Sequence, residues 1–228
     1  MNTKKLRIAV IIVILVVLLL LAVDRGRKVQ SRKYDNQISA FAEYLVDSGE
    51  ITTGDWKCAI TDLNKDQKPE LFLNDEAMGT LELFFVDSAD SSVKAYKTNA
   101  VIDEIQTFEN IEKGAEVKDG INYYYWMDCT NKKGDIQKLI LYINGFQELA
   151  GSVIATGEDN DGVVKYYDMN GSPFSKEAFE NAYENYFEGE KQTDVKMKWI
   201  DLTENVTGET LEKKLRESAE SWNSTDFR

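Results

Sequence analysis

The apolar and polar positions of this chain fall into two regimes, one continuous and one periodic. Ile8 to Val23 is an unbroken apolar run behind a short start that carries Lys4, Lys5 and Arg7. Counting Leu6, the run approaches the roughly 20 residues that cross a hydrocarbon core of about 30 Å. Its exit, Leu20-Leu21-Ala22-Val23-Asp24, holds one small residue and no cysteine for lipid attachment. A cleaved signal peptide has a shorter apolar core that ends at small residues, so the pattern predicts an uncleaved signal anchor. The expected organisation is a basic tail (1–7), a transmembrane signal anchor (8–23), a basic juxtamembrane linker (24–33) and one acidic domain (34–228).

Beyond the linker the pattern becomes periodic. Tyr34, Ile38, Phe41 and Leu45 recur at helical spacing, and Gly49 stands where a left-handed residue ends a helix. Trp56, Cys58 and Ile60 alternate, and Leu71 to Leu73 form a short apolar run; both read as strands. Leu81 to Val86 and Val93 to Lys97 predict paired strands around Asp87 to Ser92, while Val101 to Ile111 fits neither period. Ile121, Tyr123, Tyr125, Met127 and Cys129 share one face of a strand, with Asn122, Tyr124, Trp126 and Asp128 on the other. Asn144-Gly145 between Leu139–Ile143 and Phe146–Leu149 is the strongest hairpin signal. A second hairpin joins Val153–Ala155 to Val163–Tyr167 across Glu158 to Gly162, and Asn170-Gly171 makes a further turn. Asp159 and Asp161 in that second turn read as turn chemistry rather than as metal ligands.

From a Ser175 N-cap, Phe179, Ala182, Tyr183, Tyr186 and Phe187 line one face of a helix that Gly189 closes. Val195, Met197 and Trp199 alternate as a last strand, and Leu211, Leu215, Ala219 and Trp222 stripe a terminal helix. The predicted class is α+β: an antiparallel β-meander of about seven or eight strands, with one helix before it and two near the C-terminus.

Charge divides the chain at the same boundary. Residues 1–33 hold eight of the 27 Lys and Arg but only one acidic residue, Asp24, leaving 19 basic against 39 acidic residues and a net charge of −20 on the remainder. Such a domain repels nucleic acid and anionic lipid, which excludes a nucleic-acid partner. The 43% hydrophobic composition of the whole chain suits a folded core. Arg25, Arg27, Lys28, Arg32 and Lys33 outnumber the basic residues before the span, so a positive-inside count alone places the domain in the cytoplasm. Long domains translocate largely regardless of charge, and the expected location is a single-pass cell-membrane protein with its large domain extracytoplasmic.

One stretch carries candidate chemistry. Thr61 to Leu73, T-D-L-N-K-D-Q-K-P-E-L-F-L, places Asp62, Asn64, Asp66 and Glu70 at positions 1, 3, 5 and 9 of a loop, with Lys68 at position 7 offering its backbone carbonyl. Oxygen ligands so spaced suit Ca2+, a hard cation that takes roughly six to eight of them. Gln67 stands where an EF-hand has glycine and Leu73 where it has a bidentate Glu, so the loop is not an EF-hand. It resembles the D-x-N-x-D-G-x-P-E-L loops of exported proteins and lipoproteins of Gram-positive bacteria, and more distantly the loops of integrin-type repeats. That resemblance implies a calcium-binding or purely structural hairpin, and turn chemistry alone reads the loop as a metal-free hairpin closed by Asx turns. No repeat of propeller or solenoid period is present.

The chain has no histidine, which removes Ser-His-Asp and Cys-His nucleophile activation and zinc sites built on imidazole. Cys58 and Cys129 read either as one disulfide or as two buried thiols. Tyr124 and Trp126 read either as a binding platform or as packing under a helix. Two functional classes follow: a membrane-anchored extracytoplasmic binding or assembly domain with a structural calcium loop, meeting a protein or glycan partner outside the cell, or a glycan-directed hydrolase using an Asp/Glu pair. A third reading is an accessory subunit of a larger membrane complex, with the basic linker on lipid headgroups.

Overall fold

The computed structural model describes residues 12, 15–17, 34–49, 56–75, 79–109, 111, 113–117, 123–195, 197–202 and 207–222. The chain divides into a unit over Met1–Gln37 and one over Ile38–Arg228. In the first, Ile12, Leu15, Val16 and Val17 are helical with exposed side chains; the rest of the expected anchor (8–23) and the linker (24–33) lie outside the described residues. Among the described residues no helix is long and apolar enough to cross a membrane.

In chain order the elements are α1 (34–47), β1 (Trp56–Thr61), β2 (Glu70–Asp75), β3 (Thr80–Val86), β4 (Val93–Ala95), β5 (Lys97–Thr98) and α2 (Ala100–Asp103). Then come β6 (Ile105–Phe108), β7 (Lys113–Glu116), β8 (Tyr123–Asn131), β9 (Ile136–Ile143), β10 (Glu148–Asn160), β11 (Val163–Asp168) and β12 (Pro173–Phe174). The chain closes with α3 (Lys176–Glu180), α4 (Ala182–Tyr186), β13 (Lys191–Asp194), β14 (Ile200–Leu202) and α5 (Gly208–Trp222).

The mixed α and β class is as expected, but the strands form two antiparallel sheets rather than one meander. The smaller has the order β14-β1-β2-β3-β4; the larger has β12-β11-β10-β9-β8-β7-β13, with β6 beside β8 and β5 beside β10. The β5–β10 contact is parallel, the exception in an otherwise antiparallel arrangement.

Strand alternation assigns each side chain to a layer. In β2, Phe72 joins Leu81 and Leu83 in the core shared with Tyr125, Met127, Cys129, Leu139 and Leu141 of the larger sheet. Leu71 and Leu73 point the other way, on the face that carries Phe84, whose ring lies 5.1 Å from that of Tyr44 in α1. Ile38, Phe41, Ala42 and Leu45 of α1 and Leu211 and Leu215 of α5 are buried, and Ser39 donates to Glu212 across the two helices (2.9 Å). On the far face of the larger sheet, Trp126, Ile140, Ile154 and Ala155 pack with Phe179, Ala182, Tyr183 and Phe187 of α3, α4 and the residue that follows. The layers of this unit therefore run helix, sheet, sheet, helix.

Tyr124 and Trp126 belong to that last interface. Trp126 stacks on Tyr183 (5.4 Å) and Phe187 (4.9 Å), so these aromatics are core packing and not an open platform. The Tyr183 hydroxyl enters the β8–β9 ladder, donating to the Met127 carbonyl (2.5 Å) and accepting from the Leu139 amide (3.1 Å). Tyr186, expected on the same face, is instead about half exposed, because the helix breaks at Asn181 and restarts as α4.

Other expectations are corrected in detail. Val195, Met197 and Trp199 bury or half-bury their side chains against the inter-sheet core without forming a strand; the flanking segments β13 and β14 pair instead with different sheets. The two hairpins expected around Val153 share one long strand, β10, whose register slips between Val153 and Ala155, so that both Ile154 and Ala155 reach the helix face. Its turn with β11 is the two-residue Asp161-Gly162, both at positive φ. In the Asn144-Gly145 turn the left-handed residue is Gln147 (φ 57), with Asn144 N–H donating to the Glu148 carbonyl, a longer hairpin loop than Asn-Gly implies. The ambiguous segment becomes α2 and β6. Asn99 caps α2 and brackets the backbone of Gly151, where a Cβ would stand 2.7 Å from Ile102 Cδ1.

Both cysteines are free and buried. Cys58 pairs in register with Leu73 and Ile200 and so faces the layer of α1 and α5, whereas Cys129 lies in the inter-sheet core. The backbone of the smaller sheet separates them, which corrects the disulfide reading in favour of two thiols. Burial pushes both thiols up to about 12. Protein purified without reductant is expected to yield two titratable thiols after unfolding and almost none before, and to migrate identically on reducing and non-reducing gels. A faster band that Cys58→Ser abolishes would contradict this layering.

Candidate metal centre

The β1–β2 hairpin pairs Thr61 with Glu70, leaving residues 62–69 as its loop. Alternation puts Glu70 on the same face of β2 as Phe72, so its carboxylate points between the sheets, and the residue is 2% exposed. Asp62, the first loop residue, is 3% exposed. Asp66 sits at the surface, yet one oxygen from each of Asp62, Asp66 and Glu70 lies within 4.8 Å of the others.

Loop amides hold these carboxylates. Glu70 Oε2 accepts from Leu63 N–H (2.8 Å) and Asp62 Oδ2 from Gln67 N–H (3.1 Å). Asn64 Oδ1 accepts from Asp66 N–H and Asp66 Oδ1 from Lys68 N–H, two successive Asx turns. Lys65 and Gln67 take positive φ (58° and 67°), so Gln67 adopts a left-handed conformation at the position where an EF-hand loop has glycine. Such a conformation costs an ordinary L-residue roughly 1–2 kcal/mol. Asp62 Oδ1 is buried with no hydrogen-bond partner among the described residues.

Of the five residues picked from the sequence, the carboxylates Asp62, Asp66 and Glu70 converge. Asn64 serves the turn through its amide oxygen, and the Lys68 side chain pairs with Asp66 at the surface (3.4 Å). The sequence did not reveal the surrounding groups. Tyr96, from the link after β4, is raised by its burial and by the charges of Glu70, Asp66 and Asp62, and Tyr125 of β8 by its burial and by the charges of Asp62 and Glu70. The Lys65 ammonium lies 5.8 Å from the Tyr125 ring centroid. Strand alternation places Tyr125 in the core, but which strand end it meets depends on how two sheets stack.

The electrostatics follow from burial. Desolvation raises Asp62 to about 6, with the Lys65 charge pulling it back and Asp66 pushing it up. Glu70 is driven well above the carboxylate range by burial and then by Asp62, against the Leu63 amide. Burial lowers Lys65, opposed by Asp62 and Glu70. An ion with oxygens at roughly 2.3–2.6 Å keeps them within about 5 Å of one another, so the three carboxylates fit a Ca2+-sized cation, and the unpartnered Asp62 oxygen is an acceptor with no donor.

Comparison of the chain with protein-family models, with curated proteins and with solved structures returns no match. The chemistry of the loop therefore rests on its own residues.

In metal-free protein the raised carboxylates give a signed pH dependence. Asp62 gives up its proton near 6 in the fold against an ordinary 3.8, so the folded state binds more protons between those values, and stability falls as pH rises from about 4 to about 6. Glu70 extends the fall upward. Unfolding measured in EDTA from pH 4.5 to 7.5 is expected to show this decline. Asp62→Asn is expected to flatten it and to raise the melting temperature at pH 7 by a few degrees. A flat wild-type profile would mean that the two acids are hydrated.

Proposed function

We propose that the chain is a membrane-anchored, extracytoplasmic binding or assembly domain whose first hairpin holds a structural Ca2+-type cation. The observation that carries the metal reading is the buried, unpartnered Asp62 Oδ1 within a set of three converging carboxylates. The Asp66 and Glu70 carboxylates, the Asn64 amide oxygen and the Lys68 carbonyl complete the oxygen-bearing set, and water fills the remainder. The resemblance to loops of exported Gram-positive proteins supports the same assignment. The apolar run 8–23 supports the anchor, and the −20 charge beyond residue 33 argues against a nucleic-acid partner. Exposed Phe146, Val163 and Met169 at turns of the larger sheet offer apolar contact area to a protein or glycan outside the cell.

The hydrolase alternative needs two carboxylates in an open cleft. Asp62 and Glu70 have the raised affinity for protons but are buried. A cavity of about 130 Å³ lies on the opposite face of the larger sheet, lined by Lys113, Trp126, Glu184, Gln192 and Asp194, and there Lys113 pairs with Asp194. The acid pair and the cavity are thus on different faces, which favours the binding domain.

Calcium affinity is expected near the weak extracellular range of roughly 0.1–1 mM, because Leu73 supplies no bidentate ligand and two lysines lie in the loop. At ten times Kd the ion stabilises by about 1.4 kcal/mol. That is a rise of a few degrees in melting temperature. Asp62→Ala is expected to abolish the calcium-dependent rise, and identical wild-type melting in EDTA and in several millimolar calcium would refute the metal assignment.

For the anchor, the mature protein is expected in the membrane fraction with residues 8–23 retained and the domain digested by protease added to intact cells. Protection of the domain would place it on the cytoplasmic side.

A further inference from the structure

We infer that the hairpin loop takes its cation through one oxygen of each carboxylate, in a shell of about six oxygens, and so binds Mn2+ about as tightly as Ca2+. This deepens the reading of the loop as a cation site and rests on it. Within each acid the two oxygens have different tasks. Asp62 Oδ2 accepts from the Gln67 amide at 3.1 Å, Glu70 Oε2 from the Leu63 amide at 2.8 Å and Asp66 Oδ1 from the Lys68 amide at 2.9 Å. One oxygen of each acid is thus turned to a backbone N–H, whereas a chelating carboxylate turns both to the ion. For Asp62 the other oxygen is Oδ1, buried with no hydrogen-bond partner among the described residues.

The fold keeps these orientations. Turning Glu70 to chelate would strip the Leu63 amide of its acceptor in the interior, a loss that burial makes expensive. Leu73, at the position where an EF-hand supplies its bidentate Glu, is buried on the face of β2 opposite Glu70. Among the described residues no fourth acid joins the three. One oxygen from each acid, the Asn64 amide oxygen and the Lys68 carbonyl leave the rest of the shell to water. Such an all-oxygen shell suits an octahedral ion, a geometry that Mn2+ shares with Ca2+ and Mg2+. Ca2+ gains over smaller ions where chelating carboxylates raise its ligand number above roughly six, and this loop offers no such ligand. Mg2+ demands the strictest geometry and sheds water reluctantly, which leaves Mn2+ as the equal competitor.

The test is a titration of the full-length protein in detergent with Mn2+, followed by the loss of the free-ion EPR signal, with Ca2+ then added in competition. The wild type is expected to bind Mn2+ with a Kd within about fivefold of that for Ca2+, or tighter, and to release it to Ca2+. Asp62→Asn and the surface change Asp66→Asn are each expected to weaken both ions by about tenfold or more. Glu177→Gln, at an exposed acid of α3, is expected to change neither and so controls for diffuse binding to a negative domain. Should Asp62→Asn fail to fold, Asp66→Asn decides. Ca2+ binding more than about fivefold tighter than Mn2+ would overturn the inference and leave the cation site standing, because a preference of that size needs a chelating ligand. Mn2+ that Ca2+ does not displace, or that survives the loop substitutions, would overturn it too, since the two ions would not share one shell. If neither ion bound the wild type, or if Ca2+ bound the loop variants unchanged, the metal reading itself would fall.

Discussion

A carboxylate removed from water keeps its charge only where amides, hydroxyls or cations replace the lost hydration, and this constraint organises the end of the molecule where the two sheets meet. Glu70 is forced inward by its place in β2, one residue from Leu71 and two from Phe72 on a strand buried along its whole length. Everything near it answers that burial. The loop turns so that the Leu63 amide reaches Glu70 and the Gln67 amide reaches Asp62, and Lys65 folds over Tyr125. The left-handed backbone at Lys65 and Gln67 is the conformational cost of aiming those groups.

The layering decides what each part of the chain can do. In β8, Tyr125 faces the acid pair while its neighbours Tyr124 and Trp126 face α4, so adjacent residues serve separate cores. On the helix side the interface is braced by Tyr183, whose hydroxyl substitutes for part of the β8–β9 ladder and lies 3.0 Å from Asp128. Lys138 pairs with Asp128 at 2.6 Å and rests over the Phe179 and Tyr183 rings, closing that network. These polar groups are satisfied within the fold, in contrast with Asp62.

Local periodicity revealed most elements and the carboxylate-bearing loop, because spacing within a strand or turn is a local property. The alternation of β8, the Ser175 cap, the closing Gly49 and the convergence of Asp62, Asp66 and Glu70 all follow from residues near one another in sequence. What depended on stacking was hidden. Cys58 and Cys129 each alternate inward, yet alternation does not tell which of four buried faces a strand presents. Val195, Met197 and Trp199 carry a strand's pattern because a segment crossing between sheets also buries every second residue. The slip at Ile154 breaks the period of β10, which made one strand read as parts of two hairpins. Tyr96 and Tyr125 reach the acid pair only through tertiary packing.

The loop's carboxylates and Lys65 connect to the fold differently. Asp62, Asn64, Asp66 and Glu70 all come from one hairpin, so a cation gathered by them would tie together residues already close in sequence and would gain little from closing a longer loop. Lys65 against Tyr125 joins segments from distinct parts of the chain and bears on how the first hairpin is held to the larger sheet.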